Sequence, residues 1–143
     1  MNNTNGIIGQ FSRITEAANL IIKNELSARK IEGIVPAHGP ILVFLFEQSG
    51  PIPIKTIVQK IRRVKSTVTA MINNLERNGY ISKQPCQRDT RIINVELTAK
   101  GNNIRKDFFE ISEILINKTY NNIPENQQQD LMKQLSVIES NLT

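Results

Sequence analysis

Apolar positions recur at helical spacing along most of the chain. From residue 7 to about residue 31, Phe11, Ile14, Ala18, Ile21 and Ile22 fall on one stripe, and Gly33 and Pro36 supply the stop. The next stretch, "PAHGPILVFLFEQSG", predicts a short helix that is apolar on nearly every side and therefore buried. It closes in the turn cluster "QSGPIP". Ile54, Ile57, Val58 and Ile61 then repeat at i, i+3, i+4 and i+7, and so do Val68, Met71, Ile72 and Leu75. Two short amphipathic helices separated by the break "RRV" have the sequence form of a helix-turn-helix, with Gly79 as the stop after the second.

Beyond Gly79 the period changes. "YISKQP" and "RIINVEL" are rich in β-branched residues, with Ile93, Val95 and Leu97 alternating with Ile92, Asn94 and Glu96 around the polar tip "CQRDT". This pattern predicts a β-hairpin, and directly after a helix-turn-helix such a hairpin is a wing. Thr98 is expected to cap a single long helix through Ile104, Phe108, Ile111 and Leu115 to about residue 120, on the order of 30–35 Å long. Pro124 opens a last helix carrying Leu131, Leu135, Ile138 and Leu142. The fold expected is mainly α with a small β-hairpin wing (α+β), a winged helix-turn-helix core flanked by long N- and C-terminal helices. The stripes on those flanking helices are too large for one core to cover. A second copy of the chain is the simplest cover, the other arrangement being first and last helices packed on each other within one chain.

The helix predicted from residue 65 onward has an unusual outer face. Ser66, Ala70, Asn73 and Arg77 point away from its apolar stripe, and Thr67, Thr69 and Asn74 flank them, where Lys and Glu would be the ordinary filling. The major groove of B-DNA, about 12 Å wide, admits one helix, and small side chains let its backbone approach the base edges. Ser66 and Thr67 in the first turn suit phosphate oxygens, Ala70 suits a thymine methyl, and Asn73 suits adenine N6 and N7. Lys65 and Arg77 would meet the flanking backbones. The other reading of this face is contact with a protein partner.

Charge bears on that choice. Residues 55–105 hold eleven basic residues against three acids, a net of +8, whereas the remainder holds seven bases and ten acids. A basic middle between mildly acidic ends points to a polyanion-facing module. At the hairpin tip, Arg88 and Arg91 flank Asp89 and Thr90 on a narrow loop suited to a minor groove, and Asp89 is placed to brace Arg91 through a charge-assisted hydrogen bond.

The longest apolar run, "ILVFLF", is too short to span a bilayer. The opening "MNNTNGIIGQ" lacks the parts of a signal peptide, and Cys86 is the single cysteine, so a soluble cytoplasmic protein without membrane partner is expected.

As a set, these features resemble the MarR family of bacterial winged-helix regulators. The resemblance lies in Ser66 to Thr69 ("STVT"), Leu75, Glu76, Gly79 and Tyr80 ("LE…GY"), Asp89 and Arg91 of the wing, and Leu97, Thr98 and Gly101 ("LTxxG"). It implies a single MarR-type domain over residues 1–143. Residues of about 36–101 would form the DNA-binding core, and about 1–33 and 104–143 the dimerisation helices. The function implied is a homodimeric regulator, read as a repressor, that binds a pseudo-palindromic operator in double-stranded DNA and is released by a small-molecule or redox effector. The alternative is a winged helix used for protein–protein assembly. Ala70 stands where an arginine is common in the family, Thr90 replaces a frequent wing arginine, and Val64 occupies the place of a capping Asp or Ser.

His38 is the only histidine, which argues against a histidine metal site or a Ser-His-Asp triad. It is a candidate effector-pocket donor or a histidine hydrogen-bonded at a helix start. Cys86, beside the basic tip, is a candidate redox switch or an incidental wing cysteine. There is no glycine-rich phosphate loop and no carboxylate pair with an evident site, so no enzymatic activity, metal or cofactor is expected.

Overall fold

The computed structural model describes residues 4–143; residues 1–3, at the start of the first proposed dimerisation segment, lie outside it. Helix α1 covers Ile7–Ala28, and a 3-10 turn at Pro36–His38 leads into α2, Gly39–Phe46. Strand β1 is Ile52–Pro53, α3 is Ile54–Ile61 and α4 is Lys65–Arg77. Strands β2, Ile81–Pro85, and β3, Ile93–Leu97, are followed by α5, Ala99–Asn103, α6, Arg105–Thr119, and α7, Glu125–Leu142. The architecture is a mainly helical α+β winged helix.

The core forms where the apolar stripes converge. Ile41 and Leu42 of α2, Ile57 of α3, Val68, Ile72 and Leu75 of α4, and Val95 of β3 are all fully buried. Truncating one of these, Ile72 for instance, to alanine would cost about 2–5 kcal/mol, because a close-packed interior cannot collapse fully onto the hole. α2 lies at the centre, as a helix without a polar face must.

The sheet has one strand more than the hairpin pattern suggests. β2 pairs antiparallel with β3 from Ile81 opposite Leu97 to Pro85 opposite Ile93, and β1 adds to the other side of β3 with Ile52 opposite Val95. The "QSGPIP" turn therefore runs directly into a strand. Pro53, which has no N–H to donate, is tolerated because β1 is an edge.

The long helix expected after Thr98 is two helices. Thr98 caps α5, its Oγ1 accepting from the Gly101 N–H at 3.2 Å, but the helix is interrupted at Ile104 before α6 begins. The run "GNN" just before the break is poor in helix formers, and Ile104 is buried in the core. The first helix is also about three residues shorter than its stripe suggests.

α1 packs on α6. Arg29 ties them together, its Nη1 lying 2.8 Å from Asp107 Oδ1 and 2.6 Å from Glu110 Oε2. α7 buries none of its residues. Leu20, Phe109, Ile116, Leu131, Met132 and Val137 remain exposed on the flanking helices. Among the described residues, no helix is long and apolar enough to cross a membrane, and no cluster of His, Cys, Asp and Glu could hold a metal ion.

Candidate nucleic-acid interface

The turn between α3 and α4 is set by Arg62, which adopts a left-handed conformation at φ 58° and ends α3. α4 begins at Lys65 with Val64 in the cap position and no side-chain cap, so the amides of its first turn are left to other acceptors. The apolar stripe of Val68, Met71, Ile72 and Leu75 is buried, which turns the opposite face outward. Lys65, Ser66, Thr67, Ala70 and Arg77 are exposed, while Thr69, Asn73 and Asn74 are half-buried.

Three of these polar side chains, Asn73, Asn74 and Arg77, have protein partners. Arg77 Nη1 donates to Asn74 Oδ1 at 2.9 Å. Asn73 Oδ1 accepts from Lys83 Nζ at 2.6 Å, across the gap to β2. Glu76 joins the same group: its Oε2 accepts from the Lys83 backbone N–H at 3.2 Å, and its Oε1 lies 3.4 Å from Lys83 Nζ.

α4 closes on a set of interlocking contacts that gives the "LE…GY" and "LTxxG" residues a physical role. Gly79 turns the chain at φ +82°. Tyr80 is then buried, with its hydroxyl donating to the Glu32 carbonyl, and its own carbonyl accepts from the Thr98 N–H at 3.0 Å. Thr98 Oγ1 donates to the Gly79 carbonyl at 2.5 Å, and Lys100 Nζ donates to the Asn78 carbonyl at 2.6 Å while lying over the Tyr80 ring. The end of α4, the base of the wing and the start of α5 are thus fixed to one another.

At the other end of the wing, the Cys86 N–H donates to the Ile92 carbonyl at 2.7 Å and closes the loop. Asp89 grips Arg91 with both oxygens: Oδ1 accepts from Nε and Oδ2 from Nη2, each at 3.0 Å. The Arg91 backbone N–H also reaches Asp89 Oδ1, at 3.1 Å. These bonds hold the Asp89 carboxyl below its ordinary range, the guanidinium first and the amide second. Arg88 is exposed on the same loop.

An open cleft of about 760 Å³ brings the pieces together. Lys55 and Gln59 of α3, Lys65 and Thr69 of α4, and Arg91 of the wing supply its polar lining, and Pro53, Ile54, Val58, Ile92 and Ile93 its apolar floor. Lys55 and Gln59 escaped the sequence reading because they lie on the first helix of the pair. The count of basic residues included Lys55 but could not aim it. Lys83 was equally invisible as a partner of Asn73, since nothing in a strand pattern shows which helical residue lies across from it.

The two remaining candidates lie apart from the cleft. His38 is buried at the start of α2, where its Nδ1 accepts from the Val35 N–H at 3.1 Å; burial lowers its pKa from the ordinary value. Cys86 is half-buried and lines a separate recess with Arg88, Ser82 and Glu96.

A helix-turn-helix followed by a hairpin of a three-stranded sheet defines a winged-helix fold. The MarR family model matches residues 41–93, the segment from α2 to the start of β3, so this core resembles the MarR family. The chain is 25% identical over 112 residues to the uncharacterized HTH-type transcriptional regulator YkoM of Bacillus subtilis, covering 78% of this chain and 72% of the relative. It is 26% identical over 97 residues to the HTH-type transcriptional regulator SarZ of Staphylococcus aureus, covering 68% of this chain and 64% of that protein. The chain thus spans a little under two thirds of SarZ. Among solved structures, a MepR–DNA complex from S. aureus superposes with a TM-score of 0.80 at 22% identity, over 92% of this chain and 95% of that one. A MarR regulator from Methanosarcina mazei Go1 gives a TM-score of 0.74 at 22% identity, over 94% and 95%. These two likenesses extend the shared fold beyond the core to the flanking helices.

Proposed function

We propose that this protein is a sequence-specific DNA-binding transcription regulator that acts in the cytoplasm as a homodimeric repressor on a pseudo-palindromic operator. The observation that carries this reading is the cleft in which Lys55, Lys65, Thr69 and Arg91 converge from three separate elements. α4 enters a major groove with Ser66, Thr67, Ala70 and Asn73 toward the bases and Lys65 and Arg77 toward the backbones. Arg88 and the Asp89-braced Arg91 reach the neighbouring minor groove. The relatives named as transcriptional regulators, and the DNA complex of MepR, support the same class.

The dimer is formed by the flanking helices, residues of about 1–33 and 104–143, whose exposed Leu20, Ile116, Leu131 and Val137 lack a cover among the described residues. Two recognition helices held ~34 Å apart would then meet successive turns of one face of the duplex. A small-molecule effector has a place in a mostly apolar cavity of about 330 Å³ between α1, α2 and α6, lined by Ile22, Leu26, Val43, Phe108, Ile111 and Leu115. His38 is not among its lining residues.

Selection of bound fragments from the host's genomic DNA, followed by titration between about 50 and 200 mM salt, tests the proposal. Enrichment of sites with two-fold symmetry and a steep loss of affinity with salt are expected. Indifference to duplex DNA in dilute buffer would overturn it and leave the protein–protein assembly module as the reading.

A further inference from the structure

Resting on the DNA-binding reading, we infer that Lys83 is a specificity-determining residue that acts through Asn73: by holding the carboxamide oxygen, it makes Asn73 a donor-only reader of guanine. The juxtaposition is specific. Lys83 Nζ lies 2.6 Å from Asn73 Oδ1. The lysine is itself held on α4, since Glu76 takes its backbone N–H with one carboxylate oxygen and faces its ammonium with the other. A lysine fixed at both ends cannot swing away without breaking contacts to Glu76 as well as to Asn73.

The chemistry of the pair decides which atom faces which. An ammonium group only donates hydrogen bonds, so the atom of Asn73 turned toward it must be the oxygen. The amide nitrogen is left over, and among the described residues it has no protein acceptor. A free asparagine pairs with adenine by accepting from N6 and donating to N7. Lys83 takes one of the two lone pairs of the Asn73 oxygen and, by holding that oxygen toward β2, turns the amide nitrogen the other way. The carboxamide is no longer free to rotate and offer oxygen and nitrogen together to adenine. What it presents is two N–H donors, and the major-groove edge with two acceptors and no donor on one base is guanine, through N7 and O6. Adenine would set its N6 amino group against an amide nitrogen that cannot accept. The adenine contact that the sequence suggests for Asn73 is thereby replaced with a guanine contact.

The test is duplex selection from a random pool with the full-length wild type, Lys83→Met and Lys83→Arg, each checked by thermal unfolding. The wild type should retain guanine over adenine by roughly tenfold at one position of each half-site, within the range that a base-edge contact supplies. Lys83→Met should lose that preference and admit adenine, with other positions unchanged, whereas Lys83→Arg should keep it. A second measurement needs no change to Lys83: 7-deazaguanine at that position should weaken the wild type and leave Asn73→Ala unaffected. If the wild type selects a symmetric site but Lys83→Met selects the same base at every position, or if 7-deazaguanine weakens both proteins equally, the role of Lys83 is overturned while DNA binding stands. If the wild type enriches no duplex, both fall.

Discussion

Gly101 lies so close to the carbonyl oxygen of Tyr80 that a methyl group on it would overlap that oxygen. The contact joins the first turn of α5 to the residue that ends the recognition-helix segment, and it lets Tyr80 accept from the Thr98 N–H. In most helices, replacing glycine with alanine gains up to about 1 kcal/mol. Here the obstacle is backbone, which cannot rotate aside. Gly101→Ala should therefore destabilise the protein, by about 1–3 kcal/mol, measured as a fall in the urea midpoint. A neutral or stabilising result would mean that the wing base and α5 are not locked together.

Lys65 and Asn73 should fail in different ways. Lys65 is exposed at the start of α4 on the rim of the basic cleft. Lys65→Ala should weaken binding about equally on all sequences and reduce the salt slope by roughly one. Asn73→Ala should cost roughly 1–3 kcal/mol on the selected site and relax preference at one base step. Fluorescence anisotropy against the site and a scrambled duplex, at several salt concentrations, separates the two. Equal, salt-independent losses would count against both assignments.

His38 should make stability depend on pH. Burial lowers its pKa below the ordinary 6.5, so the folded protein binds the proton more weakly than the unfolded chain. Its contribution is fully present above pH 6.5 and is lost as pH falls through the lowered folded-state value. The bond from the Val35 N–H to Nδ1 needs that nitrogen unprotonated, which acts in the same direction. The melting temperature should fall between pH 7.5 and pH 5.5 by an amount that is smaller in His38→Asn, which retains an acceptor but cannot titrate. Identical pH profiles for the two proteins would remove His38 from the account.

Oligomeric state is open to a direct test. Ile116 of α6 and Val137 of α7 are 52% and 59% exposed, too much for residues whose role is to close a monomer core. Ile116→Glu and Val137→Glu should shift sedimentation from dimer to monomer and weaken operator binding, because each half-site alone binds far less tightly than the linked pair. A wild type that sediments as a monomer at micromolar concentration would overturn the proposed dimer.

The elements of the winged-helix core were readable from residue patterns because each has a period of its own. The stripe of Val68, Met71, Ile72 and Leu75 specified α4 and which side of it would face out, and β-branched alternation around "CQRDT" specified the two long strands. Asp89 and Arg91, two residues apart on a short loop, could be paired on sequence alone. The two-residue strand β1 was hidden, since its existence depends on the exposed edge of β3 and a two-residue segment has no period. The interruption at Ile104 was hidden too, because the apolar spacing continues across it.

Residue order by itself determined the helical stripes, the wing and the location of positive charge, all of which follow from local periodicity and composition. Only the tertiary structure decided that Lys83 takes the oxygen of Asn73, that Tyr80 rests on Gly101, and that Lys55 and Arg91 share a cleft. Each of these relations joins residues on different elements. Their distance is set by how the elements pack around Ile57, Ile72 and Val95, and no spacing along the chain encodes it.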